Sequence, residues 1–299
     1  MSLVKTAIRL AVPYPKIEAF DRYLFVGPHP DDIEIGAGAT IRKLTEAGKS
    51  VAFLICTDGR YGDGASNGVR GDELAALRKE ESLASAKRLG VSDVHFLNLC
   101  DGAGYAIEQL ERGIAEAIAA VQPDIVFAPD PASKSECHED HLRVGRAVQK
   151  LGCFAPYSEI MQNLYGTNGA KVQAIAFYMT ARPNRFVKTG KRLTDQLSAI
   201  FDCHKSQYPA GTAESNALKL YLRLRSLQYG LRTLSRGAEG FYVLGQTHLH
   251  CLPETGKGAF QMKARQKPCR RASCGMVCIY AYSSQINFGV NCSASAATR

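Results

Sequence analysis

Short apolar runs alternate with longer amphipathic stretches through the first half of the chain. Four runs of five to eight residues are rich in branched and aromatic side chains, a pattern typical of buried strands (23–27, 50–57, 94–99 and 125–130). Three stretches between them carry apolar residues at helical spacing and end at a Gly or before a Pro, which predicts helices (38–49, 72–90 and 107–122). The pattern therefore predicts strands and helices in alternation.

Strands and helices in alternation predict an α/β fold, since each crossover brings the next strand parallel to the last. We expect a Rossmann-like sheet of mostly parallel strands with helices on both faces. A polar loop follows each strand: HPDD (29–32), TDGRYG (57–62), CDGAG (100–104) and PDPASKSECHEDH (129–141). Ligands bind at the carboxyl ends of such strands, so we expect the active site where these loops converge.

The second half of the chain continues the pattern less regularly. It predicts a helix beginning near His141, strands at 174–180, 185–189 and 237–245, and helices at 193–207 and 216–232. Beyond residue 256 the sequence has no clear periodicity and ends in small residues. We therefore divide the chain into a catalytic domain (1–256) and a basic, Cys-containing C-terminal extension (257–299).

The charge of +9 belongs mostly to the last part of the chain. Residues 245–299 contain seven Lys or Arg and one acid, a balance of +6, which leaves +3 for the rest. A basic tail of this kind argues against a nucleic-acid partner for the folded body. No apolar run reaches the ~18 residues that span a bilayer, and no signal peptide is evident, so we expect a cytoplasmic protein without membrane contact.

Ten cysteines do not predict a disulfide framework or a structural zinc site. Those in the body are dispersed among apolar residues, as reduced core thiols are. Cys269, Cys274 and Cys278 have irregular spacing, and no His completes the set, so a zinc knuckle is only weakly indicated.

Two clusters of His and carboxylate residues carry the candidate chemistry, HPDD at 29–32 and HEDH at 138–141. Catalytic zinc takes three protein ligands from His and carboxylate and leaves one position for water. His29 and Asp32, with one His of the second cluster, would supply that set and leave Asp31 free to act as a base. Each cluster alone would also fit a helix cap. Their joint occurrence at the ends of parallel strands favours a metal site.

These motifs also resemble a known family. PHPDD, GAGATIRKL, TDGRYG, ELAALRKEE with AKRLG, and HEDH are similar to the PIG-L/LmbE family of zinc-dependent de-N-acetylases, over residues 20–250. Within that family the chain resembles the archaeal diacetylchitobiose deacetylases, through TDGRYG, VFAPDP, HKSQYP and GAEGF. The extension after residue 256 has no counterpart in the resemblance.

The resemblance implies a role for each motif residue. It implies three ligands for Zn²⁺ (His29, Asp32 and His141). Asp31 matches the general base, His138 the group that stabilises the oxyanion or protonates the leaving amine, and Asp140 the residue that orients His138. Glu139 stands where the family often has Pro, a position that is not a ligand.

Further residues have both a functional and a structural interpretation. Three residues are candidates for substrate binding (Arg60, Arg78 and His250). Arg78 resembles a family arginine that faces the pocket, although an exposed helix arginine would fit the sequence as well. His250 would close a pocket, either in its own chain or in a neighbouring subunit. Asp130 could orient a ligand His or form a turn between prolines.

The resemblance implies hydrolysis of the acetamide of an N-acetylglucosamine (GlcNAc) unit, with diacetylchitobiose as the first candidate. GlcNAc-inositol and GlcNAc-malate are alternatives, and the resemblance also implies a homo-oligomer. A His₂Asp set accepts several divalent ions, so zinc is not fixed by the residues. A dinucleotide-binding protein is disfavoured because the first loop lacks G-x-G-x-x-G. A non-catalytic glycan-binding protein would be favoured only if a ligand or the base were missing.

Overall fold

The computed structural model describes residues 3–62, 68–250 and 252. Seven strands form one sheet: β1 (Arg22–Gly27), β2 (Ser50–Thr57), β3 (Asp93–Leu99), β4 (Ile125–Pro129), β5 (Ala174–Tyr178), β6 (Arg185–Lys188) and β7 (Ala238–Gly245). The helices are α1 (Leu3–Ala11), α2 (Asp32–Glu46), α3 (Gly71–Leu89), α4 (Ile107–Val121), α5 (Glu139–Phe154), α6 (Ser158–Tyr165), α7 (Leu193–Ser198), α8 (Ala213–Thr233) and α9 (Gln246–Leu249). The extension 257–299 lies outside the described residues. Within the described ranges, no helix is long and apolar enough to cross a membrane.

The sheet is mostly parallel, with the strand order β3-β2-β1-β4-β5-β7-β6. Strands β1 to β5 pair in parallel, whereas β7 runs antiparallel to both β5 and β6. The predicted α/β fold class is therefore confirmed. The chain leaves β1 toward β2 on one side and later returns to β4 on the other, which opens a crevice at the carboxyl ends of these two central strands.

Helices cover both faces of the sheet, and successive side chains of β1 point to opposite faces. Leu24 and Val26 point into one hydrophobic cluster with residues of α4 and α5, while Tyr23 and Phe25 point into a second cluster with residues of α2 and α3. All four side chains are fully buried. A strand buried on both faces carries a continuous apolar run, which explains why the sequence of β1 lacks polar alternation.

Most predicted boundaries agree with the structure to within one or two residues, but α2 begins at Asp32 instead of residue 38. Gly36 lowers the helix propensity of this segment, so the sequence pattern did not predict the first turns of α2. The Gly is required by packing, because a Cβ at this position would lie 2.2 Å from the Tyr178 ring. The predicted helix 193–207 was too long, since α7 ends at Ser198 and a π-helical turn follows over Ala199–Cys203. Helices α1, α6 and α9 were not predicted from the sequence.

Candidate metal centre

The loop after β1 presents two adjacent carboxylates in different directions. Asp31 precedes α2 with a φ of 114°, a left-handed value that is uncommon outside glycine and is typical of strained functional positions. Asp32 is the first residue of α2, and its Oδ2 accepts a hydrogen bond of 2.9 Å from the backbone N–H of His29. The turn therefore directs the side chain of Asp32 toward His29 and the side chain of Asp31 in a different direction.

The loop after β4 brings the second cluster to the same place. His138 caps α5 and His141 lies in the first turn of that helix. Asp32 Oδ2 lies 3.0 Å from His29 Nδ1 and 3.3 Å from His141 Nε2. One atom from each of His29, Asp32 and His141 lies within 4.8 Å of the others. Two imidazoles and one carboxylate at this separation form a ligand set that fits a divalent metal ion.

The second nitrogen of each imidazole also has a carboxylate partner. His29 Nε2 lies 3.2 Å from Asp140 Oδ2 and 3.1 Å from Asp101 Oδ1. His141 Nδ1 lies 3.1 Å from Glu136 Oε2. Metal-binding histidines usually have such partners, which fix the ring orientation and leave the other nitrogen free for the ion. Both rings are thus held with Nδ1 of His29 and Nε2 of His141 toward Asp32.

A second group of possible ligands shares His29 and adds Asp101, His138 and Asp140. Asp140 is fully buried, and its carboxylate already accepts hydrogen bonds from the backbone N–H groups of Gly102 and Ala103 and from the Tyr105 hydroxyl. With the His29 contact, these partners occupy the carboxylate's acceptor positions. This favours the set of His29, Asp32 and His141 as the ligands and Asp140 as a residue that positions His29.

The geometry of Asp140 differs from the expected one. The resemblance implied that Asp140 orients His138, but its Oδ2 is 3.8 Å from His138 Nδ1 and 3.2 Å from His29 Nε2. The hydrogen bonds from Gly102 and Ala103 draw the carboxylate toward the loop after β3 and away from His138. Asp140 therefore supports a candidate metal ligand.

The electrostatic surroundings separate the two adjacent aspartates. Burial alone would raise the pKa of Asp32, but the charges and hydrogen bonds of His141 and His29 hold it well below the usual value. Burial raises the pKa of Asp31, and the nearby Arg78 opposes this rise. The two carboxylates thus differ in proton affinity, as groups with different tasks do.

Asp31 is held from two sides. Its Oδ2 accepts a hydrogen bond of 3.0 Å from the Tyr208 hydroxyl and one of 3.3 Å from Arg78 Nη2. Arg78 also donates to the carbonyls of Gly59 and Pro30 at 3.0 and 2.6 Å, and only 4% of it is exposed. Arg78 was expected to bind substrate. In the structure it is buried beneath the loop and positions Asp31.

Both His and carboxylate clusters lie in a part of the chain that matches a known protein family. The model of the PIG-L family, described as GlcNAc-PI de-N-acetylase, matches residues 24–151, which include both clusters. The diacetylchitobiose deacetylase of Thermococcus kodakarensis is 34% identical over 84% of this chain and 92% of its own length.

The chain belongs to the PIG-L family.

This PIG-L protein is also similar to a further sequence relative and to two solved structures. A 1D-myo-inositol 2-acetamido-2-deoxy-alpha-D-glucopyranoside deacetylase of Kineococcus radiotolerans is 33% identical over 60% of this chain and 56% of its own length. The structure of the N,N'-diacetylchitobiose deacetylase of Pyrococcus horikoshii superposes with a TM-score of 0.75 and 29% identity, covering 85% of this chain and 97% of the other. The 4-carboxy-2-hydroxymuconate hydratase GalB of Pseudomonas putida is 19% identical, covers 75% of this chain and 96% of the other, has a TM-score of 0.62 and shares the fold alone.

His138 lies at the open side of the PIG-L site. Its side chain is 47% exposed, and its ring packs edge-on against His29 with centroids 4.5 Å apart. The two histidines of the candidate ligand set are far less exposed, at 10% and 13% of their side chains. His138 is thus the imidazole of this cluster that is most accessible to a bound molecule.

Two further candidate residues, Arg60 and Asp130, differ in how well their surroundings fit the expected roles. Arg60 pairs with Asp58 and with Asp72, at 2.7 and 3.0 Å, and lines a cavity of about 230 Å³ beside Pro30. Asp130 accepts hydrogen bonds from Thr180 and Arg182, so it does not orient a ligand His.

His250 lies beyond the opposite end of the strands from the candidate metal centre. It follows α9 after β7, and Gly245 at the end of β7 pairs with Ala174 at the start of β5. The carboxyl ends of the parallel strands, where the candidate metal centre lies, are at the other end of β5. This placement is incompatible with substrate binding in the same chain, and contact with a neighbouring subunit's site stays a prediction.

The sequence analysis did not assign three residues that contact the candidate site residues: Asp101 beside His29, Glu136 beside His141 and Tyr208 beside Asp31. Asp101 lies in the CDGAG loop, which was expected at this edge, and the signal for it was its place directly after β3. Glu136 lies two residues before His138, and nothing in its spacing distinguished it from a surface acid. Tyr208 comes from a segment 177 positions away from Asp31, so only the fold brings its hydroxyl to that carboxylate.

Proposed function

We propose that this chain is a metal-dependent hydrolase that removes the acetyl group from the nitrogen of a GlcNAc unit. The observation that carries the proposal is the pairing of a His₂Asp ligand set with a separate buried carboxylate on the same loop. His29, Asp32 and His141 can hold an ion. Asp31 is adjacent to Asp32 in sequence, but its carboxylate accepts hydrogen bonds from Arg78 and Tyr208. Amide hydrolysis needs both a polarising centre and a base.

Zinc is the ion that we propose for this set. Two neutral imidazoles and one carboxylate are the ligand types of catalytic zinc sites. The surroundings of His29 favour a cation, because three carboxylates lie within 3.2 Å of its ring nitrogens (Asp32, Asp101 and Asp140). When bound, such an ion polarises a substrate carbonyl and lowers the pKa of water.

Asp31 would act as the general base that removes a proton from the attacking water. Its buried carboxylate has a raised pKa, so it accepts a proton more readily than Asp32 does. Arg78 and Tyr208 both bond to Oδ2, which holds the carboxylate in one orientation and leaves Oδ1 for the proton. A fixed base of this kind needs no rearrangement when the reaction begins.

His138 would supply the proton that the departing nitrogen needs. Its imidazole is half exposed at the open side of the site and stacks edge-on against His29. As a cation it would also stabilise the negative oxygen that forms when water adds to the carbonyl. Asp31 would then act as the general base and His138 as the general acid. Acetate and a free amine would leave.

Diacetylchitobiose is the substrate that we propose first. Support comes from the diacetylchitobiose deacetylases of Thermococcus kodakarensis and Pyrococcus horikoshii, since both are matched over most of their lengths. The inositol-linked relative is matched over only 56% of its length. We further propose that Arg60 contacts substrate from the rim, that His250 does so from a neighbouring subunit in a homo-oligomer, and that the protein works in the cytoplasm.

A comparison of substrates tests this proposal. Purified full-length protein with one equivalent of zinc would be incubated with equal concentrations of diacetylchitobiose, GlcNAc-inositol and GlcNAc-malate, and acetate release would be measured. We expect the highest kcat/KM for diacetylchitobiose. Preference for another conjugate would retain the reaction and change the substrate. Binding of all three sugars without acetate release would contradict the proposal and favour a non-catalytic glycan-binding protein.

A further inference from the structure

Helix α8 is apolar on two opposite faces. One face packs on the body of the protein through buried residues such as Leu222 and Tyr229. On the other side, five leucines of the helix and its C-cap are more than half exposed (Leu220, Leu224, Leu227, Leu231 and Leu234). A helix that is apolar on two faces normally buries both, so the outer face of α8 requires a cover.

The outer leucines have the spacing of a coiled-coil seam. They follow one another at intervals of four, three, four and three residues, and the exposed Ala213 and Ala217 continue the same spacing toward the N-terminus of α8. At 100° per residue the six positions within the helix form one stripe opposite the buried face, and Leu234 follows them at the C-cap with a left-handed φ of 52°. We call the seven positions the α8 seam. An alternation of three and four is the heptad pattern by which one helix packs along another.

We propose that the α8 seam is a dimer interface, in which α8 packs antiparallel against α8 of a second copy of this chain about a two-fold axis. The seam is self-complementary around a point between residues 225 and 226. Leu224 then faces the partner's Leu227, and Leu220 faces the partner's Leu231. A two-fold interface requires this correspondence of one patch with itself.

The charges that flank the α8 seam are compatible with this arrangement. Tyr221 would face the partner's Gln228, and Gly230, the flanking position nearest to Arg223, is buried in its own chain, so these positions bring no like charges together. Arg225 is engaged on its own chain with Tyr221 and the carbonyl of Thr180. Lys219 lies over the ring of Phe201. Lys219 and Arg225 are thus engaged on their own chain, away from the pairing face.

The area of the α8 seam is appropriate for the core of a dimer interface. Five leucines at roughly 100 Å² of removable area each present roughly 500 Å², which is more than half of the ~800 Å² that a stable partner buries. The C-terminal extension fits the seam less well. Residues 257–299 contain seven Lys or Arg and no acid, and α8 carries four Lys or Arg and one Glu, so the two repel.

Sedimentation equilibrium of the full-length protein tests the proposal. We expect the mass of a dimer or of a larger assembly built from dimers. The double variant Leu224→Glu/Leu227→Glu places four carboxylates at the centre of the pairing face and should weaken this association at least about 30-fold. The matched control is Leu164→Glu on α6, an equally exposed leucine outside the α8 seam, which should leave the mass unchanged.

A complementary pair of variants distinguishes lost pairing from misfolding. Leu224→Lys/Leu227→Lys should also dissociate, and an equimolar mixture with the glutamate variant should recover the dimer mass because opposite charges then meet. A monomeric wild type at all concentrations would overturn the proposal. An unchanged mass in the glutamate variant would overturn it too, and would indicate that the extension or another surface covers the α8 seam. No recovery in the mixture, with both variants folded by circular dichroism, would likewise contradict it.

Discussion

Asp31 and Asp32 are neighbours in the chain with opposite surroundings. Asp32 starts α2 and meets two imidazoles, whereas Asp31 has a left-handed φ that turns it toward Arg78 and Tyr208. One peptide bond therefore separates a candidate metal ligand from a candidate base. This explains why the motif needs two adjacent carboxylates, since one must give its lone pairs to an ion and the other must stay free to take a proton.

Arg78 is the residue whose substitution best tests how Asp31 is held. The variant Arg78→Lys keeps the charge but cannot reach Gly59, Pro30 and Asp31 together, because an ammonium lacks the guanidinium fork. We expect kcat to fall about 10- to 100-fold and the free energy of unfolding to fall by about 2–4 kcal/mol. Steady-state kinetics and urea unfolding would measure both. Arg88→Lys, exposed on the same helix, is the control, and wild-type kcat in Arg78→Lys would refute this role.

At the scale of elements, the position of α2 determines the site. Its first residue is Asp32, and Tyr178 of β5 packs against it at Gly36. Gly36→Ala would force a Cβ to within 2.2 Å of the Tyr178 ring, which cannot move because it is fully buried. We expect a loss of about 3 kcal/mol in the free energy of unfolding and weaker metal binding. Gly104→Ala, with neighbours no closer than 3.5 Å, should cost less than 1 kcal/mol. Equal effects in the two variants would contradict this account.

Glu239 joins β7 to the middle of α2 and should make stability depend on pH. Its carboxylate accepts hydrogen bonds from the backbone N–H groups of Ala39 and Thr40, and burial raises its pKa from 4.5 to about 7. Between these two pH values the folded protein holds a proton that the unfolded chain has lost. The free energy of unfolding therefore falls as pH rises from about 4.5 to about 7, by about 1–3 kcal/mol.

The variant Glu239→Gln removes this titration. Urea unfolding between pH 4.5 and 7.5 should show a smaller decrease for Glu239→Gln than for the wild type. Glu159→Gln, an exposed position on α6, should keep the wild-type slope. A slope that is identical in all three proteins would show that Glu239 does not titrate in this range.

The elements show how far sequence patterns determine local structure. Strands β1 to β4 and helices α3 and α4 were predicted to within a residue or two, because apolar period and Gly or Pro boundaries act locally. The start of α2 was missed because Gly36 disfavours a helix locally and is retained for contact with Tyr178, a residue from a distant strand. The π-helical turn after α7 likewise has no periodic signature.

At the scale of the whole molecule, the proximity of the candidate metal ligands could be predicted because each lies in a compact motif after a strand. The fold then brings the two motifs together at the switch point between β1 and β4. The supports of Asp31 could not be predicted in this way, since Tyr208 approaches from a segment far along the chain. The contact between Asp140 and His29 could not be predicted either. It depends on a hydrogen bond from the loop after β3, which draws the Asp140 carboxylate to that position.

Removal of the metal should lower the stability of the whole molecule. The ion would neutralise the carboxylates that surround His29, and an ion present at 100 times its Kd adds roughly 3 kcal/mol to the free energy of unfolding. For a domain of this size we expect Tm to fall by roughly 5–10 °C after dialysis against a chelator and to recover with added zinc. Calorimetry would measure both. Asp32→Asn should show neither change, and an identical chelator response in that variant would contradict the ligand assignment.

The most direct test of the central claim measures metal content and acetate release on the same samples of wild type, Asp31→Asn and Asp32→Asn. The account predicts about one zinc per chain and acetate release for the wild type. Asp31→Asn should keep the metal and lose release by about a thousandfold or more, whereas Asp32→Asn should lose both. Release by Asp31→Asn at the wild-type rate, or a wild type that releases acetate without bound metal, would contradict the claim.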